Sequence, residues 1–314
     1  MGQVGSGALL AALLSSVAVG CGGGAEHRST AAPSSPSDTA FPVTVRDATR
    51  AVTIPRRPER IVSLSPSATE TLFAVGAGPQ VVAVDDESDH PAGVPRTDLS
   101  SYQPNVEAIV GYRPDLVILP DTVPRDVVAG LRRLDVPVLA EPAPDQLGEA
   151  YRQMRAIGLV TGHREAGIRL AERVRAQVDA AVERAPDLPG LTVFHELDPE
   201  LFTVSSRTFI GRIYTRLGVE NIADPAAARS GNAYPQLSAE AVVSADPDLV
   251  ILADGECCEQ TRQTVAARPG WDAVSAVRSG AVVTIDDDVA SRWGPRIPEL
   301  VDRVAEAMEA AEPR

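Results

Sequence analysis

The segment NVEAIVGYRPDLVIL (Asn105–Leu119) returns, without a gap, as SAEAVVSADPDLVIL (Ser238–Leu252). Glu107 matches Glu240, Ala108 matches Ala241, Val110 matches Val243, and PDLVIL is identical in both copies. Asn105 and Ser238 are N-cap residue types, and each glutamate falls inside the first helical turn after its cap. About two turns later a proline stops the helix, and the apolar run that follows reads as a buried parallel strand. A chain that carries one helix–strand unit twice, this far apart, is expected to build two α/β lobes with a cleft between them. Matching acidic residues at matching places point to a clamp-type binding protein.

Length and charge narrow the reading further. A chain of 314 residues can bury a large core and suggests two domains. Its net charge of −14 belongs wholly to the part after residue 20 and argues against nucleic acid and anionic lipid headgroups as partners. There is no lysine; all 29 basic residues are arginine. Pyridoxal enzymes, Schiff-base aldolases and P-loop NTPases all need a lysine and are excluded. G-x-S-x-G, H-E-x-x-H and a dinucleotide G-x-G-x-x-G after a strand are also missing. The chain is therefore expected not to be an enzyme, with an extracytoplasmic hydrolase using a carboxylate pair as the remote alternative.

The apolar run Ala8–Val19 would span about 18 Å as a helix, too short for a bilayer core of roughly 30 Å. It reads as the h-region of a secretion signal over residues 1–20. Ala18-Val19-Gly20-Cys21 resembles a bacterial lipobox, with alanine where leucine is usual, and makes Cys21 the candidate lipidation site; ordinary signal cleavage is the alternative. Residues 21–58 are expected to be a flexible tether and lead-in, because Gly22–Phe41 is rich in Gly, Ala, Ser, Thr and Pro. That combination predicts an extracytoplasmic protein held by lipid on the outer face of the cytoplasmic membrane.

Beyond the tether the chain reads as an α/β lobe over residues 59–144, helices including a lobe-linking one over 145–189, and a second α/β lobe over 190–314. RIVSL (Arg60–Leu64) is a strand, and Ser67-Ala68-Thr69-Glu70 fits a capping box for a helix ending at Gly76. VVAV, LVIL and VPVLA continue a doubly wound parallel sheet. The Ala-, Arg- and Glu-rich piece His163–Arg184 would be about 33 Å long, enough to run down both lobes and to limit hinge opening.

Several segments, in this order and spacing, resemble the periplasmic-binding-protein family for iron–siderophore complexes, haem and cobalamin. They are RIVSLSPSATETLFAVGAG (Arg60–Gly78), Asp89-His90-Pro91, NVEAIVGYRPDLVIL, LGVENIA (Leu217–Ala223), YPQLSAEAVVSADPDLVIL (Tyr234–Leu252) and SRWGPRIPEL (Ser291–Leu300). The resemblance covers about Glu59–Ala311 and is nearest to the cobalamin-binding member. It implies two Rossmann-like lobes joined by one long helix, and a monomeric receptor that hands its ligand to a dimeric ABC permease. Tyr102 and Tyr234 stand where that member carries tryptophans. The ligand implied is a metal-containing chelate, cobalamin first and ferric siderophore or haem as alternatives, with no resident cofactor. Glu107 and Glu240 match the glutamates that dock on permease arginines; complementing their own helix dipoles is the other reading.

Ligands of open α/β sheets bind beyond the carboxyl ends of the strands. The expected ligand-binding residues are accordingly Ser65, Pro66, Tyr102 and Asp121 in the first lobe, and Phe202, Tyr234, Trp293 and Arg296 in the second. Aromatics make up only 4% of the chain, so their gathering in these loops favours ligand contact over core packing. Arg292 and Arg296 beside Trp293 could pair with a ligand anion, or simply be solvated or cap a helix. The four histidines, His27, His90, His163 and His195, are scattered, so no bare-metal site is expected. Adjacent Cys257 and Cys258 are either a strained vicinal bridge or two small loop side chains.

Overall fold

The computed structural model describes residues 39–311; the expected signal, Cys21 and most of the expected tether lie outside them. The lead-in is shorter than the composition suggests. Strands β1 (Val43–Arg46) and β2 (Ala51–Ile54) pair as an antiparallel hairpin. Val43, Val52 and Ile54 are buried in the main core, so folded structure begins well before residue 58. The alternation in VTVR and AVTI is too brief to stand out beside a low-complexity stretch.

The first lobe is a five-stranded parallel sheet of β3 (Ile61–Ser63), β4 (Val81–Asp85), β5 (Arg96–Leu99), β6 (Leu116–Pro120) and β7 (Val138–Glu141), in the order β5-β4-β3-β6-β7. Side chains alternate faces. Ile61, Leu116, Ile118 and Leu139 enter one buried cluster, while Val62, Val117, Leu119 and Val138 enter another. Burial on both faces is what makes LVIL a continuous apolar run. Helices α1 (Pro66–Ala74), α2 (Val106–Gly111) and α3 (Arg125–Arg133) connect the strands. The short edge strand β5 was not apparent in the sequence.

The second lobe carries β8 (Thr192–Glu196), β9 (Glu220–Asn221), β10 (Leu249–Leu252) and β11 (Val282–Thr284), all parallel, in the order β11-β10-β8-β9. The repeated unit is realised in both lobes. Asn105 and Ser238 cap α2 and the helix Ala239–Ala245, each accepting from the backbone N–H three residues on, at 3.0 and 3.2 Å. Each unit then turns through a left-handed residue, Arg113 or Asp246, directly before its proline. Both following strands are flanked by neighbours on either side.

One long helix joins the lobes, with a shorter one before it. α4 (Leu147–Val160) packs on α1 and the hairpin, while α5 (Arg164–Arg184) packs on α4 and on the terminal helix Ile297–Glu309. Their crossing is closed by two glycines: a Cβ on Gly158 would lie 2.7 Å from the Gly167 Cα. Arg184 reaches Asp302 at 2.8 Å and Arg216 binds Asp179, fastening α5 to the second lobe. The strand order reverses at β3 in one lobe and at β8 in the other, so both switch points lie at the carboxyl ends that start the candidate site.

Candidate functional site

Three of the expected aromatics stand at the surface in loops of the two lobes. Tyr102, between β5 and α2, is 82% exposed; Phe202 and Tyr234, in loops of the second lobe, are 40% and 46% exposed. Together with Leu134 they are the exposed large hydrophobics of the described residues. Exposed rings are informative in a way that buried ones are not. The second-lobe pair is braced: Phe202 bridges to Gln236, Thr203 N–H donates to Pro235 O at 3.0 Å, and Asn232 hydrogen-bonds both the N–H and the C=O of Tyr234. The Tyr234 hydroxyl is pushed up by partial burial and by the charge of Asp145, which stands at the approach to α4.

The remaining expected residues divide between site and scaffold. Asp121 is exposed just beyond β6. Ser65, not Ser67, caps α1, accepting from Ala68 N–H at 3.4 Å, with Pro66 as first helical residue. The capping box read at Ser67–Glu70 does not form. Ser67 instead accepts from the Trp293 N–H at 3.2 Å, and Glu70 turns to the arginines of the other lobe. Trp293 is half-buried against the main core, with Glu141, Met154 and Ile157 beside it.

Arg292 and Arg296 are committed within the protein. Glu70 Oε1 accepts from Arg296 Nε at 3.1 Å, from Arg296 Nη2 at 2.7 Å and from Arg292 Nη1 at 3.3 Å. Arg292 also meets Asp89 at 3.0 Å, donates to Glu87 O at 2.8 Å and binds Asp288. Glu70 and Arg292 are buried. Burial opposes ionisation of Asp89, but Arg292 outweighs it and holds that carboxyl below the usual range. Asp288 is pushed up to about 6, by burial first and by Asp89 beside it. Gly294 permits the approach, since a Cβ there would stand 3.0 Å from Glu70 Oε2. The expected ligand contact at Arg296 is thus, in this geometry, a clasp across the seam between the lobes.

A second cluster lies at the ends of β8 and β10, where strand-end loops begin at Glu196 and Asp254, though neither is among the expected ligand-binding residues. Fully buried Glu196 takes a two-pronged bond from Arg268 at 2.6 and 2.5 Å, and Arg268 also reaches Gln260 at 2.7 Å and covers the Trp271 ring at 4.8 Å. Asp254 beside it is raised to about 7, by burial first and then by the Glu196 charge. The strand ends mark both acids in the sequence, but nothing local points to Arg268, 72 residues from Glu196. Cys257 and Cys258 are joined in the short helix that follows, whose first N–H groups bond to Asp287. His195 belongs to the core: Nδ1 meets the Tyr214 hydroxyl at 2.6 Å, and burial lowers its pKa to about 4. Glu107 and Glu240 are exposed in the first turns of their helices.

Residues 61–289 match the family model described as periplasmic binding protein. A cobalamin-binding protein of Halobacterium salinarum is 34% identical, over 85% of this chain and 74% of that protein. An uncharacterised ABC transporter substrate-binding lipoprotein of Bacillus subtilis, YvrC, is 29% identical over 96% of both. Among solved structures, the periplasmic vitamin B12-binding protein BtuF of Vibrio cholerae superposes with a TM-score of 0.66 at 25% identity, over 80% of this chain and 96% of that one. The periplasmic haem-binding protein RhuT of Roseiflexus gives 0.67 at 26% identity, over 81% and 100%.

Proposed function

This chain belongs to the periplasmic-binding-protein family of ABC-transport substrate-binding proteins, and we propose that it captures cobalamin between its lobes. The observation that carries the ligand class is the exposure of Tyr102, Phe202 and Tyr234 in loops of both lobes, the first two directly after strands. Flat rings left in water are suited to a broad, planar, partly apolar chelate. The likeness to a 34% identical cobalamin-binding protein puts the corrinoid first. Haem, or a ferric chelate, is the second reading, favoured by the likeness to a haem-binding structure.

Calorimetric titration of the mature chain with cyanocobalamin, haemin and a ferric hydroxamate separates these readings. Cyanocobalamin should bind tightest, and Tyr102→Ala should weaken it by roughly 1 kcal/mol through lost stacking area. No binding of any of the three at micromolar concentration sinks the proposal.

Delivery to the permease is assigned to Glu107 and Glu240. They are exposed, they stand at equivalent places of a repeated unit, and a two-fold partner would meet one on each lobe. The Glu240 carboxyl is held below its ordinary range by its own backbone N–H and then by Ser238, so it stays charged. Glu107→Arg combined with Glu240→Arg should leave ligand affinity nearly unchanged and abolish uptake by cells. Normal uptake at normal expression would reduce both residues to helix-end charges.

The mature chain is further inferred to be lipid-anchored through Cys21, by the lipobox-like stretch and the lipoprotein relative. Cys21→Ser should then fractionate as soluble after export. Retention in the membrane with residues 1–20 uncleaved would mean that the apolar segment itself is the anchor.

A further inference from the structure

A cavity of about 770 Å³ lies on the flank of the first lobe. Its walls are the end of β1, the end of β7 with the loop beyond it, and neighbouring faces of α4 and α5. None of Tyr102, Phe202, Tyr234 or Trp293 lines it. About half of the lining residues are aliphatic, with Leu139, Leu159 and Ile168 as the larger surfaces. The rest are polar or charged, and two sets among them stand out.

The first set is buried and unpartnered. Glu141 is 6% exposed, and its carboxyl makes no hydrogen bond or ion pair. Burial raises it to about 8, so at neutral pH it is a carboxylic acid that can both donate and accept. Gln153 Oε1 is buried without a donor, while its amide nitrogen is fixed on Pro142 O at 2.7 Å. Glu141 and Gln153 also border the seam beside Trp293, where they close one wall of the cavity. The second set is cationic. Arg46 and Arg155 line the cavity with no carboxylate in ion-pair range among the described residues. Of the other charges on the wall, Arg152 meets Glu149 at 3.2 Å and Asp47 meets Arg132 at 2.9 Å, and Asp145 and Arg164 line it as well.

Buried acceptors without donors, with two arginines outside any ion pair beside them, on a partly aliphatic cavity of ligand size, suit a small-molecule site. We propose that this cavity is a second ligand site, for an amphipathic organic anion that also carries a hydroxyl or amide donor. The donor meets Gln153 Oε1 and the Glu141 acid, the aliphatic body covers Leu139, Leu159 and Ile168, and the anion faces Arg46 and Arg155. The site does not depend on what the cleft between the lobes binds.

The test is calorimetry of the mature chain at pH 7 with 10-hydroxydecanoate, decanoate and 1,10-decanediol. 10-Hydroxydecanoate should bind saturably at one site, with decanoate and the diol each weaker by about tenfold, one lacking the donor and the other the anion. Arg46→Ala with Arg155→Ala should weaken 10-hydroxydecanoate by tenfold or more. Ala156→Phe, which fills the cavity from α4, should abolish binding; the arginine pair keeps the test open if that variant misfolds. Cyanocobalamin affinity should be the same in wild type and in the arginine variant. The proposal is overturned by absence of saturable 10-hydroxydecanoate binding at millimolar concentration, which is also the result if another part of the chain fills the cavity. Equal affinity in wild type and the arginine variant, or displacement of the acid by cyanocobalamin, overturns it as well.

Discussion

Glu70→Ala should cost the folded protein about 3–5 kcal/mol, the usual loss when one member of a buried ion network is removed. The reason is the partners left behind. Arg292 is buried and Arg296 largely so, and Glu70 Oε1 is the shared acceptor of both guanidinium groups. Asp89 and Asp288 would still face Arg292, but Arg296 has its other carboxylates no nearer than 4.0 Å. Because the network ties α1 of the first lobe to the segment before the terminal helix, the loss should also uncouple the lobes. Urea unfolding of the variant should show a midpoint shifted strongly down and a transition that broadens or splits. A loss under about 1 kcal/mol with an unchanged slope would mean that the lobes are held by the helices alone.

Glu141→Gln should raise stability in alkaline solution while doing little in acid. The folded-state pKa of Glu141 is about 8 against an ordinary 4.5, with burial as the cause. Between those two values the folded chain keeps a proton that the unfolded chain releases, so stability falls as pH rises through the window. Glutamine is neutral throughout and has no such slope. The variant should therefore match or trail wild type near pH 4.5, where glutamine only adds unsatisfied donors, and gain on it steadily up to about pH 8. The change in their difference across the window should be about 2–4 kcal/mol. Asp85, Asp254 and Asp288 are also raised, to about 6, 7 and 6, but they titrate in both proteins and cancel in the comparison. Parallel pH–stability curves for the two proteins would refute a neutral Glu141.

The features legible in the sequence are those whose physics is local. Asn105 and Ser238 cap their helices because a cap needs only the N–H three residues on. LVIL becomes a central strand in each lobe because alternate side chains of a doubly covered strand must all be apolar. The repeat, the long helix α5 and the exposed rings at loop ends follow from the same short-range signals. Where two local readings competed, the nearer one was not always right. Glu70 has the spacing of a capping-box acid, yet the side chain turns to guanidinium groups more than 200 residues away in the chain, and Ser65 takes the cap instead.

Tertiary structure alone decided the rest. Nothing near Arg296 in the chain says that its charge is already balanced, nor does anything near Glu141 say that it will be buried without a partner. The Glu196–Arg268 pair and its neighbour Asp254 depend on which strands lie side by side, and the flank cavity on how a hairpin, an edge strand and two helices leave space. Patterning within a few residues selects helices, strands and the faces they bury. The charge state and availability of a side chain depend instead on desolvation and on partners brought together only when the lobes close on one another.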